Sequence, residues 1–302
     1  MRSRTRRGGL RVAAVGGAAA LLVTGCSAQE VRQGWLPGQS GTTDMWDRTA
    51  ALWTGSWIAA LAVGVLVWGL TIWAVVAYRR RAGDTGYPDQ IRYHVPLEIL
   101  YTVVPLIMIG VLFYFTARDQ AAIESLEEEP DVEIEVIGKQ WSWDFNYLDD
   151  DVYESGVQAP LAGTEADDAN VPTLYLPVGE TVRFTIHARD VIHSFWIPAF
   201  LYKKDMIPGR TNYWQVTPQQ TGEFKGKCAE LCGEFHSEML FNVKVVERDE
   251  YDAHMEELRA AGQEGALPVD LGRVSTETGE QTEDAIGEDS GGQENSESGQ
   301  DD

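Results

Sequence analysis

The sequence predicts a membrane-anchored all-β protein, in which a hairpin of two transmembrane helices precedes an exported β-barrel or sandwich. Two long apolar runs with almost no charge lie before residue 118, and several short alternating segments follow from residue 131. Apolar runs of about twenty residues indicate membrane helices, whereas short alternating segments between turn residues indicate strands. No helical pattern separates the alternating segments, so a sheet structure is expected there.

The start of the chain has the layout of an export signal. Residues 1–25 carry five arginines and no acidic residue, and their apolar run ends in "LVTGC" at Cys26. A positive start followed by a short apolar stretch is typical of secretory signals. The ending resembles the lipobox of bacterial lipoproteins, which implies cleavage after residue 25 and a lipid on Cys26. An uncleaved or ordinarily cleaved signal is the alternative. Residues 26–50 then form an exported N-terminal segment.

Net charge restricts the class of partner. The chain carries a formal charge of −23, and loss of the arginine-bearing signal would take the remainder to −28. An acidic surface attracts basic partners and repels nucleic acid. We therefore expect no nucleic-acid partner.

The transmembrane hairpin is predicted over residues 51–118. Residues 51–78 contain no charge, and residues 95–117 contain only Glu98. Arg79 to Arg81 follow the first run, and the positive-inside rule places the loop that they begin in the cytoplasm. Everything after the second run is then outside. A lone hairpin with tryptophan and glycine on several faces is expected to pack against a larger membrane protein.

Residues 131–247 are predicted to form the exported β domain. The alternating segments are "VEIEVIGKQ", "TLYLPVG", "TVRFTIHA", "TNYWQVT" and "LFNVKVVE". Several short strands without helices between them predict a sandwich or barrel, with residues 154–170 as a polar loop. A helical extension is expected over residues 248–274, centred on "HMEELRAAGQEG". Residues 275–302 carry ten acidic residues and no lysine or arginine, which predicts a disordered acidic tail.

A cluster of soft ligands lies in "KCAELCGEFHSEML", residues 227–240. Its members carry sulfur or imidazole: Cys228, Cys232, His236 and Met239. Their spacing also fits one buried helical stripe, but Gly226, Gly233 and the strand-like flanks indicate a loop. Thiolate, imidazole and thioether together favour copper, because zinc rarely takes a thioether. Two thiolates in one loop suit two copper ions that share both sulfurs. A disulfide is the alternative in an exported protein.

This loop and "DVIHSFWIPAFLYKKDMIPGR" at residues 190–210 resemble cytochrome c oxidase subunit II, and the similarity covers residues 45–247. The resemblance implies a cupredoxin-like Greek-key β-barrel that carries a binuclear copper A centre. It implies six ligand positions: His193, Cys228, Glu230 (through its backbone carbonyl), Cys232, His236 and Met239. In the family the glutamate that matches Glu230 also helps bind magnesium at the boundary with subunit I. Haem is then expected only in the partner subunit.

The resemblance assigns the entry of electrons to Trp141. This residue begins the alternation Trp141, Trp143, Phe145 and Tyr147, and it matches the family's surface tryptophan that faces cytochrome c. A core face is the alternative reading of the alternation. Asp149, Asp150 and Asp151 are either a steering patch for a basic cytochrome or a solvated loop.

Glu98 is the ionisable residue of the second span, and such residues are costly in a membrane and tend to be functional. It aligns with a family glutamate at the entrance of a proton channel of subunit I. The alternative is a side chain that reaches into the headgroups.

The expected function is that of subunit II of an aa3-type cytochrome c oxidase in a bacterial plasma membrane, with the copper domain on the outer face. It would accept electrons from a c-type cytochrome or a cytochrome bc complex, work with oxidase subunits I and III, and serve oxygen reduction coupled to proton pumping. A copper A subunit of a nitric oxide reductase and a membrane copper chaperone or sensor are the alternatives. The acidic tail and the 154–170 loop are hypothesised to dock a membrane-bound cytochrome.

Overall fold

The computed structural model describes residue 30 and residues 33–87, 90–126, 129–160 and 171–269. The predicted signal peptide, Cys26 and the acidic tail lie outside these residues. Residues 161–170 of the predicted polar loop lie outside them as well.

Two long helices form the N-terminal hairpin, α1 over Trp46–Ala77 and α2 over Val95–Ile123. Both are long and apolar enough to cross a membrane. Helix α1 begins before the apolar run because Trp46 is buried against the preceding segment, where its Nε1 donates a hydrogen bond to the Pro37 carbonyl at 3.3 Å. Helix α1 thus begins before the charge-free run at residue 51, and α2 ends beyond the apolar run that finishes at residue 117.

Two five-stranded sheets follow within the described residues, which confirms the predicted all-β domain. The strands are β1 Val132–Lys139, β2 Ser142–Tyr147, β3 Val152–Ser155, β4 Thr173–Pro177, β5 Val182–Ala188, β6 His193–Ile197, β7 Tyr202–Met206, β8 Asn212–Val216, β9 Gly222–Cys228 and β10 Leu240–Val246. The first sheet has the order β3-β2-β1-β5-β8, and the second has the order β4-β10-β9-β6-β7. The pairs β1–β5 and β4–β10 are parallel, and the other pairs are antiparallel.

Aromatic side chains fill the space between the sheets. Phe195 and Phe241 stack with ring centroids 5.0 Å apart, and Trp143 packs edge-on against both. Phe241 pairs with Gly226 across β9 and β10, where a Cβ on the glycine would lie 2.0 Å from the phenylalanine ring. A glycine at this position is thus required by the close approach of the ring to the strand backbone.

The structure differs from the sequence expectation at three strands, because β3, β6 and β7 were not expected. The stretch "TNYWQVTPQQTGEFK" at residues 211–225, which is strand-like in the sequence, is divided into β8 and β9. In β6 the burial does not alternate, since four of its five residues are buried. A strand buried on both faces lacks the period of two that identifies strands in a sequence.

The C-terminal helix α3 spans Arg248–Ala260, so it begins before the predicted helical piece at residue 254. Its buried residues Tyr251, Met255 and Leu258 follow a helical spacing and attach it to the β domain. The chain then turns back along the β2–β3 hairpin, where the backbone N–H of Tyr153 donates to the Gln263 carbonyl at 3.0 Å. Helix therefore accounts for only part of the predicted 248–274 extension.

Candidate metal centre

The metal loop, residues 227–240, joins β9 to β10. Strand β9 ends at Cys228, and β10 begins at Leu240. Between them only His236–Glu238 forms a short 3₁₀ turn. The helical-stripe alternative is therefore wrong: turns rather than a continuous helix bring the soft ligands together.

The sulfur and imidazole atoms of the loop converge with His193 of β6. The sulfurs of Cys228 and Cys232 are 3.8 Å apart, and both cysteines are free. Cys228 Sγ lies 3.8 Å from His193 Nδ1, whereas Cys232 Sγ lies 3.5 Å from His236 Nδ1. Each histidine thus presents its Nδ1 to a different cysteine. The structure contains no disulfide between the two cysteines.

Two weaker donors complete the set. Met239 Sδ lies 3.7 Å from Cys232 Sγ, and the backbone carbonyl of Glu230 lies 3.1 Å from Cys228 Sγ. Met239 is fully buried, whereas the Glu230 side chain is exposed. All six sequence-predicted ligand positions are therefore brought to one place, and the Glu230 carboxylate points to the domain surface.

Strand β1 leaves room for the histidine. A Cβ at Gly138 would lie 3.2 Å from His193 Cδ2, so a side chain there would press on the imidazole. His193 itself is fully buried. A buried imidazole needs a hydrogen-bond partner or a ligand on each nitrogen to offset its desolvation.

Asp190 supplies that partner on one side, and sequence analysis missed it. The carboxylate Oδ1 of Asp190 lies 2.7 Å from His193 Nε2, and Oδ2 accepts the backbone N–H of Gln140 at 2.7 Å. An acceptor on Nε2 fixes the tautomer that leaves Nδ1 free as a ligand. The available signal was a carboxylate three residues before the histidine in "DVIH".

The electrostatics of the pair His193 and Asp190 follow from this contact. Burial opposes protonation of His193, but the Asp190 carboxylate and the Cys228 sulfur outweigh it and raise the His193 pKa. Burial alone would raise the Asp190 pKa, but hydrogen bonds from His193 and from the Gln140 and Val191 backbone lower it.

The pKa values of the two thiols are shifted in opposite directions. Burial works against ionisation of Cys228, but hydrogen bonds from His193 and the neighbouring backbone lower its pKa. Burial and the adjacent Cys228 sulfur raise the Cys232 pKa to about 12. Two like charges this close cannot both form without a cation between them. A soft cation would let both thiols ionise, so the donor set fits copper.

Trp141 touches the metal loop from the side. It lies before the first residue of β2 and is half-buried, and its indole Nε1 donates to the Cys232 carbonyl at 3.2 Å. Its ring packs edge-on against Phe235 at 4.9 Å. Trp143 and Phe145, in contrast, are fully buried, so the core-face reading holds for the alternation that follows Trp141.

Gln140 is a second residue that sequence analysis missed. Its side-chain Nε2 donates to the same Cys232 carbonyl at 2.7 Å. The backbone of Gln140 is bound by Asp190, so one short segment joins the His193 side of the centre to the Cys232 side. The sequence separation between Gln140 and Cys232 gives no local signal for this contact.

The acidic run after β2 lies away from Trp141. Strand β2 separates Trp141 from Asp149, and at about 3.3 Å per residue this amounts to roughly 20 Å. Asp149 Oδ2 accepts the backbone N–H of Glu133 at 2.8 Å, and Asp150 Oδ2 accepts the Tyr251 hydroxyl at 3.1 Å. These carboxylates stabilise a turn at the far end of the domain, which does not support the steering-patch expectation.

Glu98 has a local role in the structure. Its Oε1 accepts the backbone N–H of His94 at 3.0 Å, and the His94 ring accepts the backbone N–H of Leu97 at 3.2 Å. This reciprocal arrangement caps the N-terminus of α2. The proton-channel role of Glu98 stays a prediction.

Comparison with known proteins decides the family. A family profile described as the periplasmic domain of cytochrome c oxidase subunit II matches residues 132–246. The probable cytochrome c oxidase subunit 2 of Streptomyces avermitilis is 45% identical over 287 residues, which cover 86% of this chain and 89% of that protein. The chain belongs to the cytochrome c oxidase subunit II family.

A second relative agrees with that family, and one solved structure is similar to part of the chain. Cytochrome c oxidase subunit 2 of Mycobacterium tuberculosis is 34% identical over 297 residues, covering 82% of this chain and 81% of that protein. The crystal structure of the periplasmic domain of subunit II (CoxB) of Bradyrhizobium japonicum is 32% identical, with a TM-score of 0.41, and covers 45% of this chain and 99% of that one. As a cytochrome c oxidase subunit II, the chain is part of an oxidoreductase complex, and its periplasmic domain implies a copper centre.

Proposed function

We propose that this chain is the electron-accepting subunit of an aa3-type cytochrome c oxidase in a bacterial plasma membrane. It receives electrons from a c-type cytochrome on the outer face and delivers them to haem in subunit I, where oxygen reduction is coupled to proton pumping. The observation that supports this most directly is the convergence of five soft-ligand side chains in one cluster: His193, Cys228, Cys232, His236 and Met239.

The residues that would hold two copper ions divide into strong and weak donors. Cys228 and Cys232 supply thiolates for both ions, and His193 and His236 each supply an Nδ1. Met239 and the Glu230 carbonyl are the weaker donors. When bound, the copper pair supplies a one-electron carrier whose geometry changes little between its redox states.

The protein's own residues exclude water and fix the ligands. Cys228, Cys232 and Met239 are buried, so water is excluded from their sulfur atoms. Asp190 holds the His193 ring, and Gln140 holds the Cys232 carbonyl. A preorganised ligand set lowers the reorganisation that would accompany each change of charge.

Trp141 is the proposed entry point for electrons. Its indole is half-exposed, and its Nε1 donates to the backbone carbonyl of Cys232. The side chain of Cys232 is one of the proposed copper ligands. A conjugated ring that reaches both the surface and the ligand backbone can couple a donor haem to the centre.

Further roles rest on the family resemblance. The exposed Glu230 carboxylate is proposed to help bind magnesium at the boundary with subunit I, since oxygen ligands suit a hard cation. Glu98 is proposed to lie at the entrance of a proton channel, in addition to capping α2. Oxidase subunits I and III and a cytochrome bc complex are the proposed partners, and a lipid on Cys26 is a proposed second anchor. The division into domains at residues 25, 50, 118, 131, 247 and 274 is part of the same proposal.

The two alternative functions gain no support. The relatives reported above carry the name of the oxidase subunit, and none of those reported is a nitric oxide reductase or a copper chaperone. A chaperone would also have no use for Trp141 against the loop carbonyl.

The test is electron entry into the intact complex, purified through a tag on this chain. We expect Trp141→Phe to slow reduction by a ferrous c-type cytochrome by more than about tenfold, a barrier increase of about 1.4 kcal/mol. Copper content and reduction by a small soluble reductant should stay unchanged. Trp35→Phe is the matched control, because it replaces an exposed tryptophan that precedes the first transmembrane helix.

Two results would contradict the proposal. The first is a Trp141→Phe complex that accepts electrons from the cytochrome at the wild-type rate. The second is an elemental analysis in which the double variant Cys228→Ser, Cys232→Ser retains the two copper ions that the wild-type chain adds to those of its partner subunits.

A further inference from the structure

The transmembrane hairpin contains a groove that the electron-transfer function does not use. It lies between α1 and α2 and has a volume of about 570 Å³. The wall formed by α1 consists mostly of small residues, with one larger side chain among them: Ala51, Leu52, Gly55, Ser56 and Ala59. Larger apolar side chains of α2, among them Ile107, Val111 and Phe115, form the other. The wall of α2 extends over about 12 Å at 1.5 Å per residue, so the groove is elongated along the helices.

The outer end of the groove carries a charge cluster. Asp119 of α2 is 3% exposed and lines the groove together with Arg118. Arg48 Nη1 lies 3.0 Å and Arg118 Nη2 lies 2.8 Å from the same oxygen, Oδ1 of Asp119. Two arginines against one carboxylate leave a net charge of +1. Each guanidinium carries five N–H donors, so a single oxygen cannot saturate both groups.

This cluster lies at the level of the lipid headgroups. Arg48 precedes the first apolar run, and Arg118 follows the second. Arg48 is three residues before Ala51 and therefore projects on the face of α1 that lines the groove. The side chains of Arg48 and Arg118 are 40% and 49% exposed, so both are accessible. An apolar slot within the hydrocarbon thus opens beneath two partly unsatisfied guanidinium groups.

We propose that this groove binds one acyl chain of an anionic phospholipid of the outer leaflet, whose phosphate is held by Arg48 and Arg118. Charge complementarity selects the occupant: a net positive mouth attracts an anionic headgroup and gives no such advantage to a zwitterionic one. The guanidinium fork matches phosphate oxygens, and the small residues of α1 give the chain close contact with the helix backbone. The bound lipid bridges α1 and α2 where the helices leave the membrane.

The test uses the intact oxidase complex, purified through a tag on this chain and analysed by native mass spectrometry in nanodiscs of phosphatidylglycerol and phosphatidylcholine. We expect retained phosphatidylglycerol, and Arg118→Gln should weaken its binding by about fivefold. Arg48 stays paired with Asp119 in that variant. Arg92→Gln, which removes an exposed arginine at the inner end of α2, is the matched control and should change nothing.

A second variant tests the acyl chain. A Cβ at Gly55 or at Gly64 meets no atom within 4 Å, so the backbone at either position accepts the first atom of a leucine side chain. Gly55 lines the groove and Gly64 does not. We expect Gly55→Leu to displace the lipid and Gly64→Leu to leave it bound.

Four outcomes would overturn the proposal. Equal retention of phosphatidylcholine would remove the role of charge, and lipid bound equally in Gly55→Leu would remove the role of the groove. Competition by glycerol phosphate as strong as that of the whole lipid would indicate a simple anion site. Loss of subunit I from Gly55→Leu, with no phosphatidylglycerol bound to the wild type, would show that a partner helix occupies the groove.

Discussion

Two clusters of buried polar side chains lie against opposite faces of β1 near its end. They differ in how their buried polar and charged groups are compensated. On the inner face, Gly138 lies against His193 and the metal loop. On the outer face, Lys139 Nζ lies 2.5 Å from Asp144 Oδ1, and Arg189 Nη2 lies 3.0 Å from Oδ2 as an ion pair. The outer cluster contains both signs of charge, whereas the inner cluster contains sulfur and imidazole donors of the kind that bind a soft cation.

The contrast separates a structural site from a metal site. Asp144 is fully buried, and Ser155 Oγ completes its partners at 2.5 Å. The buried carboxylate of that cluster is therefore compensated by cations of the protein. In the inner cluster, burial and the neighbouring Cys228 sulfur raise the Cys232 pKa to about 12 and keep this thiol protonated. Two neighbouring buried thiols whose pKa values shift in opposite directions are typical of a functional site.

The largest expected effect breaks the inner cluster. Cys232→Ser should abolish copper binding, because a hydroxyl is a poor ligand for a soft ion. The metal-free protein should lose only about 1 kcal/mol, since serine is nearly isosteric with cysteine. Copper analysis and urea unfolding followed by circular dichroism check the two effects separately. Ser237→Ala, at an exposed position of the same loop, should alter neither. Full copper content in Cys232→Ser would contradict the ligand assignment.

Substitution in the outer cluster should lower the free energy of unfolding and leave copper binding unchanged. Asp144→Ala leaves Lys139 and Arg189 without their buried counter-ion and should cost about 3–5 kcal/mol of unfolding free energy. The copper spectrum of the folded fraction should stay unchanged. Asp205→Ala removes a carboxylate from the exposed pair with Lys203 and should cost less than about 1 kcal/mol. Equal losses in the two variants would show that burial does not distinguish the two ion pairs.

A third substitution tests whether a protein carboxylate in the inner cluster orients the His193 ring. Asp190→Asn weakens the acceptor that fixes the His193 ring, and it should lower copper affinity by about 10–100-fold. Copper retention against a graded series of chelators measures this loss. Asp149→Asn alters a carboxylate at the other end of β2 and should leave affinity unchanged. Wild-type affinity in Asp190→Asn would mean that packing alone orients the histidine.

The smallest effect concerns the half-buried His254, whose Nδ1 lies 3.5 Å from the Glu257 carboxylate. The His254 ring stacks on Tyr175 at 3.7 Å, and among the described residues neither of its nitrogens makes an aligned hydrogen bond. Burial lowers the His254 pKa, while the Glu257 carboxylate acts against the shift and Lys244 adds to it. The unfolded chain therefore binds this proton first as pH falls below about 6.5. Stability should decrease on acidification, by at most about 1.4 kcal/mol per pH unit.

Unfolding midpoints at several pH values between 7.5 and 5 test the role of His254. His254→Phe keeps a ring on Tyr175 and removes the titration, so its midpoint should depend less on pH than that of the wild type. An identical pH dependence in both proteins would assign the effect to other groups.

Sequence reasoning succeeded where a signal is local. Charge-free runs predicted α1 and α2, alternation predicted β1, β5 and β10, and the soft residues between Gly226 and Leu240 predicted the metal loop. Those features depend on neighbouring residues or on fixed spacing. Helix α3 was placed too late because its apolar stripe begins at Tyr251 among charged residues.

The rest depends on contacts that span the chain. Gln140 and Trp141 both bond to the Cys232 carbonyl, about ninety residues away, and no local pattern encodes that. The role of Asp149 was left open between a steering patch and a solvated loop for the same reason, because composition shows an acidic run but not which end of the domain it occupies. His193 was assigned by resemblance, whereas its partner Asp190 appeared only in the structure.

The tight fit of Gly226 beneath Phe241 has a consequence for the neighbouring ligands. In the observed pairing of β9 with β10, Cys228 and Met239 both turn inward just beyond this contact. A shift by one residue would rotate every side chain of a strand to its other face and carry the sulfur atoms out into water. Gly226 lacks the side chain that would collide with the Phe241 ring, whereas the residues on either side of it carry one. This apolar contact therefore fixes the register of β9 with β10, and with it the positions of the Cys228 and Met239 sulfur atoms.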